Sequence, residues 1–253
     1  MPSVTVLCGG FGAARFLSGL SRVGGVDLTC VVNTADDLDY EGLHISPDVD
    51  TVTYALAGRF DEDRGWGLAG DTFRNAEALR RYRSGWFAVG DEDLATNLAR
   101  TNLIRAGATL TEATARVAAA LGVQGRVLPM SDDPVRTVVC SAEGRLGFQE
   151  YLVHRRAGPA VEAVEHDGAD TARPAPGVLG ALAGADLVVV APSNPVSSIG
   201  PILALGGVAG ELALRADRTV AVTPVVSGAE PATAPEQSRA RVRAAFMAAR
   251  GLA

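Results

Sequence analysis

VTVLCGGFGAARFLSGL, residues 4–20, is the stretch from which the fold can be read. Residues 4–8 form a short apolar run without alternation, the signature of a strand buried on both faces. Gly9, Gly10 and Gly12 then mark a tight turn, and from Ala13 onward Phe16, Leu17 and Leu20 give a helix with one apolar face. A second apolar run follows at residues 28–32 (LTCVV). Strand, glycine turn, helix and strand within about 30 residues make a βαβ unit, which requires a parallel sheet.

The same signature returns near the other end, at residues 185–191 (ADLVVVA) and 219–222 (TVAV), with helical spacing over 202–214 between them. Together these pieces predict a doubly wound, mostly parallel Rossmann-like α/β sheet that takes its ligands at the C-terminal ends of its strands. Residues from about 51 to 125 carry helical spacing instead. Leu94, Leu98 and Ile104, then Ala113, Val117 and Leu121, predict two helices in a mainly helical insertion. Residues 135–140 and 146–153 flank Ala142-Glu143-Gly144-Arg145 and read as a β-hairpin. The α/β domain is expected to span 1–228, and 229–253 to form a linker and a short helical tail.

With 253 residues, 47% of them hydrophobic, the chain is long enough to bury a core as one domain with an insertion. Its net charge of −6 argues against broad nucleic-acid binding. All 23 basic residues are arginines, which excludes a Schiff-base lysine and a P-loop lysine. Cys8, Cys30 and Cys140 are widely spaced in apolar runs and read as buried small hydrophobes, not as zinc ligands. The N-terminus has no signal-peptide pattern, and no apolar stretch reaches the ~20 residues of a membrane span, so a cytoplasmic protein without a membrane partner is expected.

Four constellations carry candidate chemistry. Gly9, Gly10 and Gly12 let backbone N–H groups approach a phosphate at a helix N-terminus, and Arg15 stands one turn further on. The third glycine of a dinucleotide fingerprint, and the acidic ribose ligand ~20 residues later, are both missing. This disfavours a nicotinamide dehydrogenase. Next come Asn33, Thr34, Asp36 and Asp37, then His44, Asp48 and Asp50, just beyond the second strand. Carboxylates there can seat Mg²⁺ against a diphosphate; alternatively Asp48 or Asp50 caps the following helix, and His44 is a packing residue. Third, Ser193, Asn194, Ser198 and Gly200 lie in a loop stiffened by Pro192, Pro195 and Pro201, and offer hydroxyl, amide and backbone donors to a nucleotide. Fourth, Ser131, Asp132 and Arg136 precede the hairpin, where turn chemistry is a sufficient explanation. No nucleophile–histidine arrangement is visible.

GGFGAARFLSGL (from Gly9), VNTADDLDYEGLHISPDVDTVTYALAG (from Val32), RGWGLAGDTF (from Arg64), DLATNLARTNLIRAGATLTEAT (from Asp93), LPMSDDPVRT (from Leu128), FQEYLV (from Phe148) and APSNPVSSIGPIL (from Ala191) resemble the 2-phospho-L-lactate transferase family of coenzyme F-420 biosynthesis. The resemblance covers roughly residues 1–228 and departs from the family pattern at Ala88 and Glu92 and in the C-terminal part. It implies a Mg²⁺-dependent transfer of phospholactate, or of phosphoenolpyruvate, from a guanosine diphosphate-linked donor to the hydroxyl of the deazaflavin FO, with release of GMP. It also implies that Asp48 and Asp50 lie at the metal and acceptor, and that the glycine turn and the loop at 192–195 form the nucleotide side. Ser131, Asp132 and Arg136 join the substrate-binding set on the same ground, and a homodimer is an assembly the resemblance allows. The competing reading, from relatives resembling the gluconeogenesis factor, is a non-catalytic regulator that binds a nucleotide or nucleotide sugar.

Overall fold

A computed structural model describes residues 1–82 and 85–224. The expected linker and tail at 229–253, and the last residues of the expected 1–228 domain, lie outside the described residues.

The chain runs β1 (Ser3–Cys8), α1 (Gly10–Leu20), β2 (Asp27–Val32), a small antiparallel hairpin of β3 (Leu38–Tyr40) and β4 (Leu43–Ile45), then α2 (Pro47–Leu56). It continues through α3 (Arg74–Leu79), α4 (Asp91–Arg105), α5 (Leu110–Ala120) and β5 (Arg126–Pro129). Strands β6 (Arg136–Ser141), β7 (Gly144–Gly147) and β8 (Val161–Asp167) follow, then α6 (Val178–Gly184), β9 (Leu187–Val190), α7 (Gly200–Ala204), α8 (Val208–Leu214) and β10 (Thr219–Ala221).

Among the described residues, five strands form a parallel sheet in the order β10-β9-β1-β2-β5. The chain winds outward from β1 through β2 to β5, then returns on the other side through β9 to β10. The order therefore reverses between β1 and β9, and that switch point opens a crevice at the strands' C-terminal ends. Alternation along β1 divides the core. Val4, Val6 and Cys8 pack with Leu17 of α1, Val52 of α2 and Ala118 of α5, whereas Leu7 packs with Leu182 of α6, Ile202 of α7 and Val208 of α8. Helices thus cover both faces, which a parallel sheet requires because neither face has polar residues to show to water.

The doubly wound sheet, the helices α4 and α5 of the insertion and the β6–β7 hairpin occur as expected. Several features differ. The first helix starts at Gly10, three residues before its apolar spacing does, because Gly9 and Gly10 adopt the entry geometry that closes the turn. The helical segment at 202–214 is broken into α7 and α8. The second hairpin arm ends at Gly147, and Glu150–His154 coils into a single π-type turn. Strand β8 pairs with β6 in a three-stranded antiparallel sheet beside the main one. Cys8 and Cys30 are fully buried and burial pushes the Cys8 thiol well up, so it is an inert core group; Cys140 is only partly buried.

Candidate functional site

The crevice is built where backbones approach too closely for side chains. A Cβ on Gly9 would stand 2.4 Å from Asp48 Oδ2 and 2.9 Å from Ser198 Cβ, and one on Gly12 would stand 2.1 Å from the Pro192 carbonyl oxygen. Gly10 has φ +68°, a conformation glycine adopts at little cost. The Gly9 N–H donates to Ser193 Oγ at 3.1 Å, tying the ends of β1 and β9 together across the switch point.

Asp48 occupies the centre of this cradle. Asn33 Nδ2 donates to Asp48 Oδ2 at 2.9 Å, while Asn33 Oδ1 accepts from the Ala35 N–H at 3.0 Å. Burial pushes the Asp48 carboxyl up to about 6; hydrogen bonds from Asn33, the Gly10 N–H and Ser198 oppose the shift, and the charge of Asp37 adds to it. Asp36 is raised well above the carboxylate range, first by burial and then by Asp48. Asp37 Oδ2 accepts from Ser46 Oγ at 2.8 Å and contacts His44 Nε2 at 3.1 Å.

Three carboxylates are therefore crowded and dry, and Asp36 Oδ1 and Asp37 Oδ1 are buried with no partner. Orphaned carboxyl oxygens of this kind fit a hard cation. Among the described residues no group of three or more His, Cys, Asp or Glu is placed to hold a metal, which leaves one or two carboxylates as the donor set. That donor set suits an ion completed by water and phosphate, as Mg²⁺ is.

The structure gives the two aspartates of α2 different partners. Helix α2 begins at Pro47 with Ser46 as N-cap, so both stand inside the first turn and neither caps it. Asp50 has both oxygens on Arg100 of α4, Oδ2 at 3.0 Å from Nη1 and Oδ1 on Nη2. It is an ion-paired carboxylate, whereas Asp48 faces the glycine turn. Arg15 is likewise engaged elsewhere: its guanidinium sits 4.3 Å above the Phe11 ring and donates to the Glu62 carbonyl at 2.9 Å.

Other predicted residues divide between the crevice and local structure. Thr34, Asp37, His44 and Arg136 line a cavity of about 320 Å³ beside the carboxylates. Ser131 and Asp132 also reach it, but Ser131 Oγ donates to the Arg173 carbonyl at 2.7 Å and Asp132 accepts from the N–H and hydroxyl of Thr111. Asn194 Oδ1 caps the turn Pro195–Ile199 by accepting from the Val196 and Ser197 N–H groups. Gly200 opens α7 against the His166 ring.

Two groupings escaped the sequence. Tyr54 Oη donates to Asp93 at 2.8 Å, Asn97 Nδ2 donates to Asp93, and Arg100 Nη1 donates to Asn97 Oδ1, making a buried polar chain from α2 to α4. Positions 93, 97 and 100 share one helical face (i, i+4, i+7), a polar stripe that was the available signal. Second, the hydroxyl of Tyr40 accepts from the Trp86 N–H at 3.1 Å, and the Tyr40, Trp86 and Phe87 rings line a second cavity of about 410 Å³ beyond the β3–β4 hairpin.

A doubly wound α/β protein with an anionic crevice under a glycine turn at its switch point is the class this geometry defines. The chain belongs to the family described as 2-phospho-L-lactate transferase CofD, whose model matches residues 4–250. It is 43% identical over 233 residues to a phosphoenolpyruvate transferase of Streptomyces griseus, covering 89% of this chain and 73% of that one. It is 40% identical over 226 residues to a 2-phospho-L-lactate transferase of Methanosarcina mazei, covering 88% and 74%. A solved UPF0052-family protein from Bacillus halodurans is similar with a TM-score of 0.59 at 22% identity, over 83% of this chain and 65% of its own. A second solved Bacillus halodurans structure gives 0.67 at 21% identity. These two structural likenesses speak to the fold alone.

Proposed function

We propose that this protein transfers phospholactate or phosphoenolpyruvate from a guanosine diphosphate-linked donor to the terminal hydroxyl of the deazaflavin FO, releasing GMP in coenzyme F-420 biosynthesis. The observation that carries the reading is Asp48: a buried carboxylate seated between the Gly10 N–H, Asn33 and Ser198 at the β1–β9 switch point. Family membership and the two relatives' names support the transferase class.

In this reading the acceptor hydroxyl attacks the phosphorus that bears the phospho-acid. A new P–O bond forms, the bridging P–O bond of the diphosphate breaks, GMP leaves with the bridging oxygen, and the hydroxyl proton passes to solvent or a nearby base. Asp48, with one of its neighbours Asp36 and Asp37, would hold Mg²⁺, which supplies charge neutralisation for the diphosphate. The protein's own contribution is to position the reactants and exclude water. The glycine turn and Ser193 flank the donor phosphates. The aromatic cavity at Tyr40, Trp86 and Phe87 suits the flat ring of FO, since stacked and edge-on aromatic contacts favour a planar heterocycle. A cytoplasmic location and a homodimer belong to the same proposal. No single helix among the described residues is long and apolar enough to cross a membrane.

Incubation with each donor, FO and Mg²⁺, followed by mass detection of the phosphodiester product, tests the proposal and distinguishes lactyl from enolpyruvyl transfer. Product with neither donor, together with retained GDP binding, would favour the non-catalytic nucleotide-binding reading.

A further inference from the structure

Asp36, Asp37, Asp48 and Asp50 are all buried, and the guanidinium of Arg100, paired with Asp50, has no solvent exposure. Asp37 links the group: its charge acts on Asp36, Asp48, Asp50 and Arg100 alike. Arg100 grips Asp50 through both terminal nitrogens and is steadied by Asn97, while its Nε is buried without an acceptor. A buried ion pair with an unsatisfied donor is a poor stabilising device, because desolvation offsets most of the attraction and apolar replacements often do as well. Its distinctive property here is electrostatic. Asp50 and Arg100 together sum to zero, so the pair adds no net charge to that of the other acids in the crevice.

We infer that Arg100 is a positioning residue that sets the charge of the cation site: by cancelling Asp50 and fixing the first turn of α2, it determines how tightly the neighbouring carboxylates hold a divalent ion. Asp50 then acts on the ion through Arg100, not as a ligand. The inference rests on the cation reading proposed above.

The two single lesions carry opposite signs. Asp50→Asn leaves an uncompensated guanidinium beside the site and repels a cation. Arg100→Gln leaves an additional carboxylate and attracts one. Asp50→Asn with Arg100→Gln restores the original net charge. The probe is Mn²⁺ binding to the full chain, followed by electron paramagnetic resonance of the free ion, with and without GDP and with melting measured in parallel. One unit charge acting over several ångströms in a partly screened site changes affinity by about fivefold or more. Asp50→Asn is therefore expected to bind Mn²⁺ at least about fivefold more weakly than wild type, Arg100→Gln about fivefold more tightly, and the double variant within about twofold of wild type.

Structural damage would weaken binding in all three variants, and a ligand role for Asp50 would leave the double variant as weak as Asp50→Asn. Either result overturns the inference while leaving the cation site standing. If Arg100→Gln does not fold, recovery of affinity from Asp50→Asn to the double variant decides the question. Wild-type protein that binds no Mn²⁺ in either condition would overturn both this inference and the cation part of the proposed function; GDP binding and product formation would still report separately on the donor.

Discussion

At the crevice, buried aspartates crowd around Asp48 with two oxygens left unpartnered; on the three-stranded sheet, Arg145 meets Glu165 and Asp167, all about half exposed. Both regions are made of acids and arginines. In the second, water is the alternative partner for every charge, so the pairs form at little cost and with little gain. In the first, burial raises Asp48 and Asp36 above the ordinary carboxylate range, which means that the folded state resists their charge. A fold that tolerates such strain at one spot holds that spot for something other than stability.

The most severe way to break the contrast is Asp48→Asn. The variant keeps the size of the side chain and removes the charge. If Asp48 seats the cation, transfer drops by at least about two orders of magnitude, roughly 2.7 kcal/mol of transition-state stabilisation. Stability moves the other way. A carboxyl raised from 3.8 to about 6 contributes stability only while protonated, and loses it as pH rises through 6. Melting at pH 8 should therefore be equal to or above wild type. Turnover within a few-fold of wild type at saturating Mg²⁺ would remove Asp48 from the mechanism.

A smaller effect is expected from Gly9→Ala. The residue is extended at φ −177°, so the backbone is not strained, and the whole cost is steric: the new methyl lands on Asp48, Ser198 and Asn33. Forcing those three apart costs about 1–3 kcal/mol. It should weaken GDP binding together with the melting temperature, whereas Asp48→Asn lowers transfer without lowering the melting temperature. Unchanged GDP affinity, measured by calorimetry, would mean that the cradle is not the nucleotide's.

How far the crevice was legible follows from where its residues sit. Gly9, Asn33, Asp48, Ser193 and Ser198 stand just beyond strand ends or the turn that follows, and the strands announce themselves as apolar runs. Strands β1, β2, β9 and β10 were readable for that reason. Strand β5 was not: four residues ending in Pro129 are too few to separate from the loop after α5. Strand β8 alternates, but none of its residues is fully buried, so its apolar signal is faint. Within the site, sequence order could not say that Asp48 and Asp50, two residues apart, take different partners. Asp50 pairs with a residue 50 positions away on α4, and that depends on how two helices pack. Ser131 and Asp132 went to local turns, the ordinary fate of such residues.

Asp93 sharpens the comparison at intermediate size, because it is only part-buried, unlike the crevice acids, and lies on the polar chain behind them. Burial, and then Asp50, push it to about 7 from 3.8. Its folded value is raised, so its contribution is fully present below pH 4 and lost as pH rises through 7. Melting followed from pH 4 to 8 should fall less steeply for Asp93→Asn than for wild type, by the equivalent of up to about one proton. Parallel curves would show that Asp93 titrates normally.

The least effect is expected at the exposed cluster, from Arg145→Ala. Arg145 donates to Asp167 at 2.7 and 2.8 Å and pairs with Glu165 across the antiparallel strands, so on contact geometry alone it resembles the Asp50–Arg100 pair. Exposure makes the difference: in water each partner recovers its hydration when the other is removed. The melting shift should be the smallest of the set and should shrink further in 1 M salt, where screening acts over about 3 Å. Mn²⁺ affinity and transfer should match wild type, since the lost charge faces solvent and not the crevice. A large, salt-insensitive loss of stability would instead mean that Arg145 locks β6, β7 and β8 together through its packed side-chain stem, and that exposure is a poor guide to which ion pairs in this fold matter.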